Sequence, residues 1–171
     1  MAALTKLFGQ PDDDVLTSPV PLYLGGDADV LTFRHFVPGF TYVTSGLTGV
    51  DDIPQRRSRF GNYELMICTR DDAPWAAGII SSLARYTLDA RLEDGETMDY
   101  PMFPSKRLSA LLFAQPPGMG LFSFGGSDYH CLLCIGITAK ELRRCHDQGS
   151  APVIATLKQV GVFPFTSLDR R

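Results

Sequence analysis

The sequence predicts an α+β fold: a single domain with a mixed, mainly antiparallel central sheet and about three helices packed on it. Three observations carry this expectation. Residues 59–88, RFGNYELMICTRDDAPWAAGIISSLARYTL, pass from a strand pattern through a short Asp/Pro turn into a long apolar helix. Residues 130–148 repeat that step, an apolar run leading into Thr138-Ala139-Lys140-Glu141, whose Thr-x-x-Glu spacing is that of a capping box. The 171 residues hold no visible repeat and no Ser/Gly-rich linker that would separate two cores.

Taken in order, residues 1–20 read as an N-terminal extension, loose around the acidic Asp12-Asp13-Asp14, and residues 21–171 as the domain. Pro19 and Pro21 precede Leu22-Tyr23-Leu24-Gly25-Gly26, the pattern of an edge strand ending in a glycine turn. Residues 30–33 and 41–47 are further strands. Behind the Phe60-Gly61 breaker, Tyr63, Leu65 and Ile67 share one strand face while Glu64, Met66 and Cys68 share the other. Asp72 is placed to cap the next helix, and Pro74 sits in its first turn, where a missing N–H costs nothing. Trp75, Ile79, Leu83 and Tyr86, with Ile80, Ala84 and Leu88, then form a broad apolar stripe that must lie on a sheet.

Further along, residues 97–102 read as extended, and 108–114 are an apolar run that fits a strand or a buried helix. Pro116-Pro117-Gly118-Met119-Gly120 is a firm break. Residues 121–126 alternate as a hairpin arm or an exposed loop. Residues 130–137 are the most apolar strand, and the capping box opens a helix that runs to about Gln148 and stops at Gly149. Ser150 recaps the chain, Pro152 sits in a first turn, and Val153, Ile154, Leu157 and Val160 build a short helix stopped by Gly161. Residues 163–165 read as a final strand.

Composition narrows the function. With 44% hydrophobic and 20% charged residues the chain is ordinary for a soluble globular protein. At this length a domain buries about two thirds of its unfolded surface, so no metal or disulfide staple is required. A net charge of −3 opposes a broad phosphate-binding surface, so nucleic acid is not expected as a partner. The run Arg56-Arg57-Ser58-Arg59 follows Asp51-Asp52 closely and reads first as a solvated loop, with a docking patch as the minor alternative. No stretch reaches the roughly 20 apolar residues of a membrane span, and the start lacks a signal-peptide core. A cytoplasmic protein without membrane contact is expected, with its four cysteines as free thiols.

No cofactor, metal site or catalytic residue is expected. Cys131-x-x-Cys134 with Cys145-His146 nearby holds enough soft ligands for zinc on paper. In a strand, however, positions i and i+3 point to opposite faces, and Leu132-Leu133 lacks turn-forming residues. A redox Cys-x-x-Cys works at a helix N-terminus, not in a strand. Cys145 and His146 are helical neighbours about 100° apart and form no dyad by adjacency, although His35 could approach a cysteine through the fold. The acidic pairs Asp51-Asp52, Asp71-Asp72 and Glu93-Asp94 fall in turns, where solvation and capping account for them. Hydrolase, zincin and nucleotide-loop signatures are missing, and Gly118-x-Gly120 reads as a turn.

Several blocks resemble the suppressor-of-fused family. Its N-terminal domain carries an FG-x-x-E-L strand, a Pro/Trp turn and a helix ending in L-A-R-Y, matched here by Phe60-Gly61, Glu64-Leu65, Pro74-Trp75 and Ser82-Leu83-Ala84-Arg85-Tyr86. Tyr42-Val43-Thr44-Ser45-Gly46-Leu47, Ile135-Gly136-Ile137-Thr138 with Glu141-Leu142, and Leu168-Asp169-Arg170-Arg171 agree in the same order, so the likeness spans roughly residues 40–171. The resemblance implies a mixed α/β domain that works by holding another protein, with no accepted catalytic centre. Animal members grip an extended peptide of a transcription factor between two lobes, partly by strand pairing. This chain ends near the close of the first lobe, which resembles the stand-alone bacterial members thought to act as immunity proteins that neutralise toxins.

The expected function is therefore non-enzymatic protein binding, with a toxin or an extended peptide segment as partner. A Cys/His-dependent enzyme and a structural or oligomer-forming subunit are the alternatives. The candidate partner-binding residues are Tyr100, Phe103, Phe122, Phe124 and Tyr129, aromatics in Pro/Gly-rich connections where exposed rings anchor partners. Against any one of them stands burial, because a chain with 11 Phe must hide most of them.

Overall fold

A computed structural model describes residues 2–13, 15–48, 62–124 and 127–170. Among these the sheet runs β1 (Asp29–Phe33), β2 (Phe40–Ser45), β3 (Asn62–Thr69), β7 (Ser127–Ile137), β5 (Ala110–Ala114), β4 (Thr97–Asp99), with β6 (Phe122–Phe124) also paired to β7. Every pairing is antiparallel except β3 with β7, which run parallel from Asn62↔Tyr129 to Met66↔Leu133. The helices are α1 (Ala2–Phe8), α2 (Pro74–Tyr86), α3 (Ala139–Gln148) and α4 (Ala151–Gln159).

The strand period of two sorts side chains into two cores. Tyr63, Leu65, Ile67, Leu111, Phe113, Leu132 and Cys134 meet Ala76, Ile79, Ile80, Leu83 and Ala84 of α2 on one face. Met66, Cys68, Leu112, Cys131, Leu133, Ile135 and Ile137 meet Leu4 and Phe8 of α1, Cys145 of α3 and Val153 and Leu157 of α4 on the other. The sheet is thus covered on both sides, a three-layer arrangement in which β5 is apolar throughout and β3 and β7 are mainly apolar, with Glu64 of β3 and His130 of β7 buried among them. Within the run 108–114 residues 110–114 are the strand β5, and residues 122–124 are the strand β6, antiparallel to the start of β7.

Of the helix start signals, the capping box of α3 is formed, whereas the expected caps of α2 and α4 are not. Thr138 Oγ1 accepts from Glu141 N while Glu141 Oε2 accepts from Thr138 N at 2.8 Å, the reciprocal capping box at α3. Gly149 and Gly161, at φ +81° and +70°, end α3 and α4 as expected. Pro74 occupies the first turn of α2, but Asp72 does not cap it. Asp72 Oδ1 instead accepts from Tyr42 Oη at 2.9 Å, and the same hydroxyl accepts from Ala73 N at 2.7 Å. Ser150 likewise makes no side-chain cap to α4.

Two expectations at the ends of the chain are corrected. Leu22–Leu24 is one turn of 3-10 helix closed by Gly25 at φ +86°, not an edge strand, because buried Leu22 pulls the chain inward. Phe165 touches Cys68 by a single parallel bridge, so residues 163–165 form no extended strand. A third concerns the N-terminal extension, whose described residues are tied down. Leu4 and Phe8 are buried, Phe8 lies 5.0 Å from Phe33 and 4.9 Å from Phe36 between ring centroids, and Asp12 N and Leu16 N donate to Thr32 O and Val30 O of β1. Residues 12, 13, 15 and 16 therefore lie along the outer edge of β1.

Candidate functional site

The two edges of the sheet differ. The β1 edge is covered by the strap just described, which is tied down by Arg34 Nε donating to Asp12 Oδ2 at 2.6 Å. At the opposite edge, β4 pairs with β5 through Thr97↔Leu112, Met98↔Leu111 and Asp99↔Ala110, and no strand lies beyond it among the described residues. Tyr100 N donates to Ser109 O at 2.8 Å and Phe113 N to Glu96 O at 2.9 Å, so residues 96, 98 and 100 turn their backbone groups toward β5. Alternation turns the N–H and C=O of Thr97 and Asp99 outward. Gly95 N also donates to Phe113 O at 2.8 Å, so two residues oppose one and a bulge ends the ladder.

This open edge is set in a groove of about 730 Å³. The end of α2 and the following loop contribute Tyr86 and Arg91, the turn before β4 contributes Asp94 and Glu96, and the α3–α4 junction contributes His146 and Ser150. The loop is held by Leu92 N donating to Tyr63 Oη at 3.1 Å and by Glu93 N donating to Glu96 Oε2 at 2.9 Å. Burial pushes the Tyr63 phenol up to about 12, so it remains a protonated anchor. Gly95, at φ +89°, lets the turn lie against α4, since a Cβ there would sit 2.9 Å from Ser150 Oγ. Met98 packs on the α2 side, whereas Thr97 Oγ1 lies 3.5 Å from His146 Nε2 on the α3 side.

Of the five aromatics singled out in the sequence, Tyr100, Phe103 and Tyr129 are described with their side chains. Tyr100 and Phe103 lie just beyond β4 as an edge-to-face pair at 5.2 Å, with Phe103 only 8% exposed. Tyr129 is equally buried in β7, opposite Phe122 in the β6–β7 ladder. The backbone of β6 carries Phe122 and Phe124, whose side chains lie outside the described residues. So do Arg56-Arg57-Ser58-Arg59, Asp51-Asp52 and Phe60-Gly61.

Cysteine and histidine are dispersed. Cys131 and Cys134 fall into opposite cores, as strand geometry requires. Cys145 turns inward from α3 while His146 is exposed, and His35 is exposed between β1 and β2. Burial raises all four thiols, Cys68 to about 12. Among the described residues no three His, Cys, Asp or Glu side chains gather as metal ligands, and no helix is long and apolar enough to cross a membrane. Sequence reasoning missed Glu64, which is fully buried in β3 and accepts from Gly46, Leu47 and Thr48 N–H groups. A lone acid inside an apolar strand was the available signal.

An open sheet edge such as that of β4 is a place where an extended peptide can add a strand. The family model for suppressor of fused protein (SUFU) matches residues 27–171, and the chain belongs to this family. Among solved structures, the Sufu–Fu complex aligns at TM-score 0.80 and 18% identity, covering 99% of this chain and 87% of that one. Drosophila Suppressor of Fused aligns at 0.78 and 18% identity over 99% of this chain and 49% of its own, so the present chain spans about half of that protein. A SUFU homolog from Neisseria gonorrhoeae aligns at 0.64 and 16% identity over 99% and 92%. No curated protein matches by sequence. At these identities the likeness is one of fold.

Proposed function

We propose that this domain holds another protein by adding an extended segment of it to the outer edge of β4. The carrying observation is the open edge itself: the outward backbone groups of Thr97 face a polar groove and those of Asp99 lie just beyond it, while the equivalent edge of β1 is occupied by the chain's own residues 12, 13, 15 and 16. An added strand satisfies those groups and gains main-chain hydrogen bonds, and the groove walls select its side chains. The Sufu–Fu complex shows that a relative of this fold engages a protein.

Thr97→Pro tests the reading. Thr97 N–H is not used by β5, so proline removes only an outward donor and blocks the approaching strand. Capture of the native partner by the parent domain and its loss with Thr97→Pro is the expected result; equal capture by both would overturn it. The finer reading, an immunity protein with a toxin as the held partner, is supported by the family resemblance. Co-expression with toxin genes adjacent to this one tests it, with rescue of growth expected and unrelieved killing as the refuting outcome.

A further inference from the structure

Resting on the β4 reading, we infer that the segment held there is cationic, an extended strand with Lys or Arg at alternate positions. The edge offers acid at successive points: Asp94 and Glu96 line the groove, and exposed Asp99 continues the strand beyond it. The basic group in the groove wall, Arg91, is already matched by Glu93 at 2.7 Å. Of the basic residues of α3, His146 lines the groove and contacts Thr97, whereas Lys140, Arg143 and Arg144 do not line it, and Arg144 is engaged by Gln148 and Thr156 at 3.1 and 3.0 Å.

Spacing agrees with this chemistry. Side chains two residues apart on one strand face are separated by about 6.6 Å, so a basic residue at every second position of an added strand stays within reach of Asp99 on one face or Glu96 on the other. Tyr86, 46% exposed at the groove wall, offers a ring face to an aliphatic stem or a guanidinium. The same acids disfavour a second copy of this chain as occupant, because pairing two β4 edges would bring Asp99 and Glu96 against their own kind.

The test uses two synthetic peptides of equal length, one alternating Lys with Val and one alternating Glu with Val, and the whole domain. Fluorescence polarisation reads affinity, and amide hydrogen exchange at Thr97 and Asp99 reads the place of binding. Selective binding of the Lys peptide with slowed exchange at both amides is expected. The double variant Glu96→Gln with Asp99→Asn keeps side-chain shape and should weaken that binding up to about fivefold, since an alternating peptide sets its Lys side chains on one face, against one of the two acids, and one opposite-charge cross-strand pair is worth up to about that factor. Equal affinity for the two peptides, or no change in the double variant, overturns the cationic assignment. If Thr97→Pro still abolishes capture of the native partner in that case, the β4 reading itself stands. Lys-peptide binding that leaves both amides unprotected overturns the edge as its site.

Discussion

Thr44 Oγ1 donates to Glu64 Oε2 at 2.6 Å while accepting from Leu65 N at 2.8 Å, so one buried hydroxyl ties a carboxylate to the β2–β3 ladder. Glu64 also accepts from Thr48 N at 2.9 Å and Thr48 Oγ1 at 2.8 Å, which pins the chain as it leaves β2. Thr44→Val removes one donor from a buried acceptor and is expected to cost about 1–3 kcal/mol in urea unfolding.

Glu64 also makes stability depend on pH. Burial raises its carboxyl above the ordinary 4.5, against the opposing pull of its hydrogen bonds to Thr44, Thr48 and Leu47. The folded state therefore holds the proton more tightly than the unfolded state. Its stabilising contribution is complete below 4.5 and is lost as pH rises through the higher folded value. The stability of the parent minus that of Glu64→Gln should fall as pH is raised from 4.5 toward neutrality; a difference independent of pH would refute this.

Gly136 is required by close approach. A Cβ there would lie 2.7 Å from both Leu108 Cδ1 and Thr166 Cγ2. Gly136→Ala should destabilise by about 1–3 kcal/mol as those side chains are displaced, lowering Tm by several degrees.

Arg170 closes the C-terminal segment onto the sheet. Its guanidinium donates to Gly136 O at 2.9 Å and pairs with Glu141, the same glutamate that completes the capping box of α3. Arg170→Ala should cost about 1–3 kcal/mol and Arg170→Lys should restore only part, because an ammonium cannot reproduce the fork. Thermal unfolding of the two variants checks the order.

Phe8 anchors α1 beneath β1. Its ring is 3% exposed and packs between Phe33 and Phe36. Phe8→Ala is expected to cost about 3–5 kcal/mol, and amide exchange in residues 12–16 should quicken as the strap loosens. An unaffected strap would show that the β1 edge is guarded independently of α1.

The four cysteines should stay unmodified by an aromatic disulfide reagent at mildly alkaline pH until the protein unfolds, and then react together. Burial both shields them and keeps the thiolate scarce. One fast thiol in the native protein would contradict this and reopen the Cys/His enzyme alternative.

Signals that act within a few residues were readable in the chain. Pro74 opens α2, Thr138 and Glu141 cap α3, Gly149 and Gly161 end helices, and the alternation through residues 63–68 and 131–137 assigns faces that the two cores confirm. Asp72 looked like a cap from its position, but Tyr42, 30 residues earlier, supplies a competing hydroxyl. The candidate site was less legible. In the sequence the turn carrying Glu93 and Asp94 reads as solvated, and two of the candidate aromatics, Phe103 and Tyr129, are buried by the fold.

By itself, then, the sequence determined the α+β class, the family and the strand-and-helix core around residues 62–86, because propensity, capping and periodicity are short-range effects. Tertiary structure alone decided which strands became edges. That β1 is covered by residues 12, 13, 15 and 16 while β4 is left open among the described residues follows from the strand order β1-β2-β3-β7-β5-β4, which is set by long-range pairing and two-sided burial. The prolines at 19 and 21 pointed to an edge that did not form, because every non-proline residue carries the same backbone donor and acceptor and the position of its neighbours decides whether they are paired.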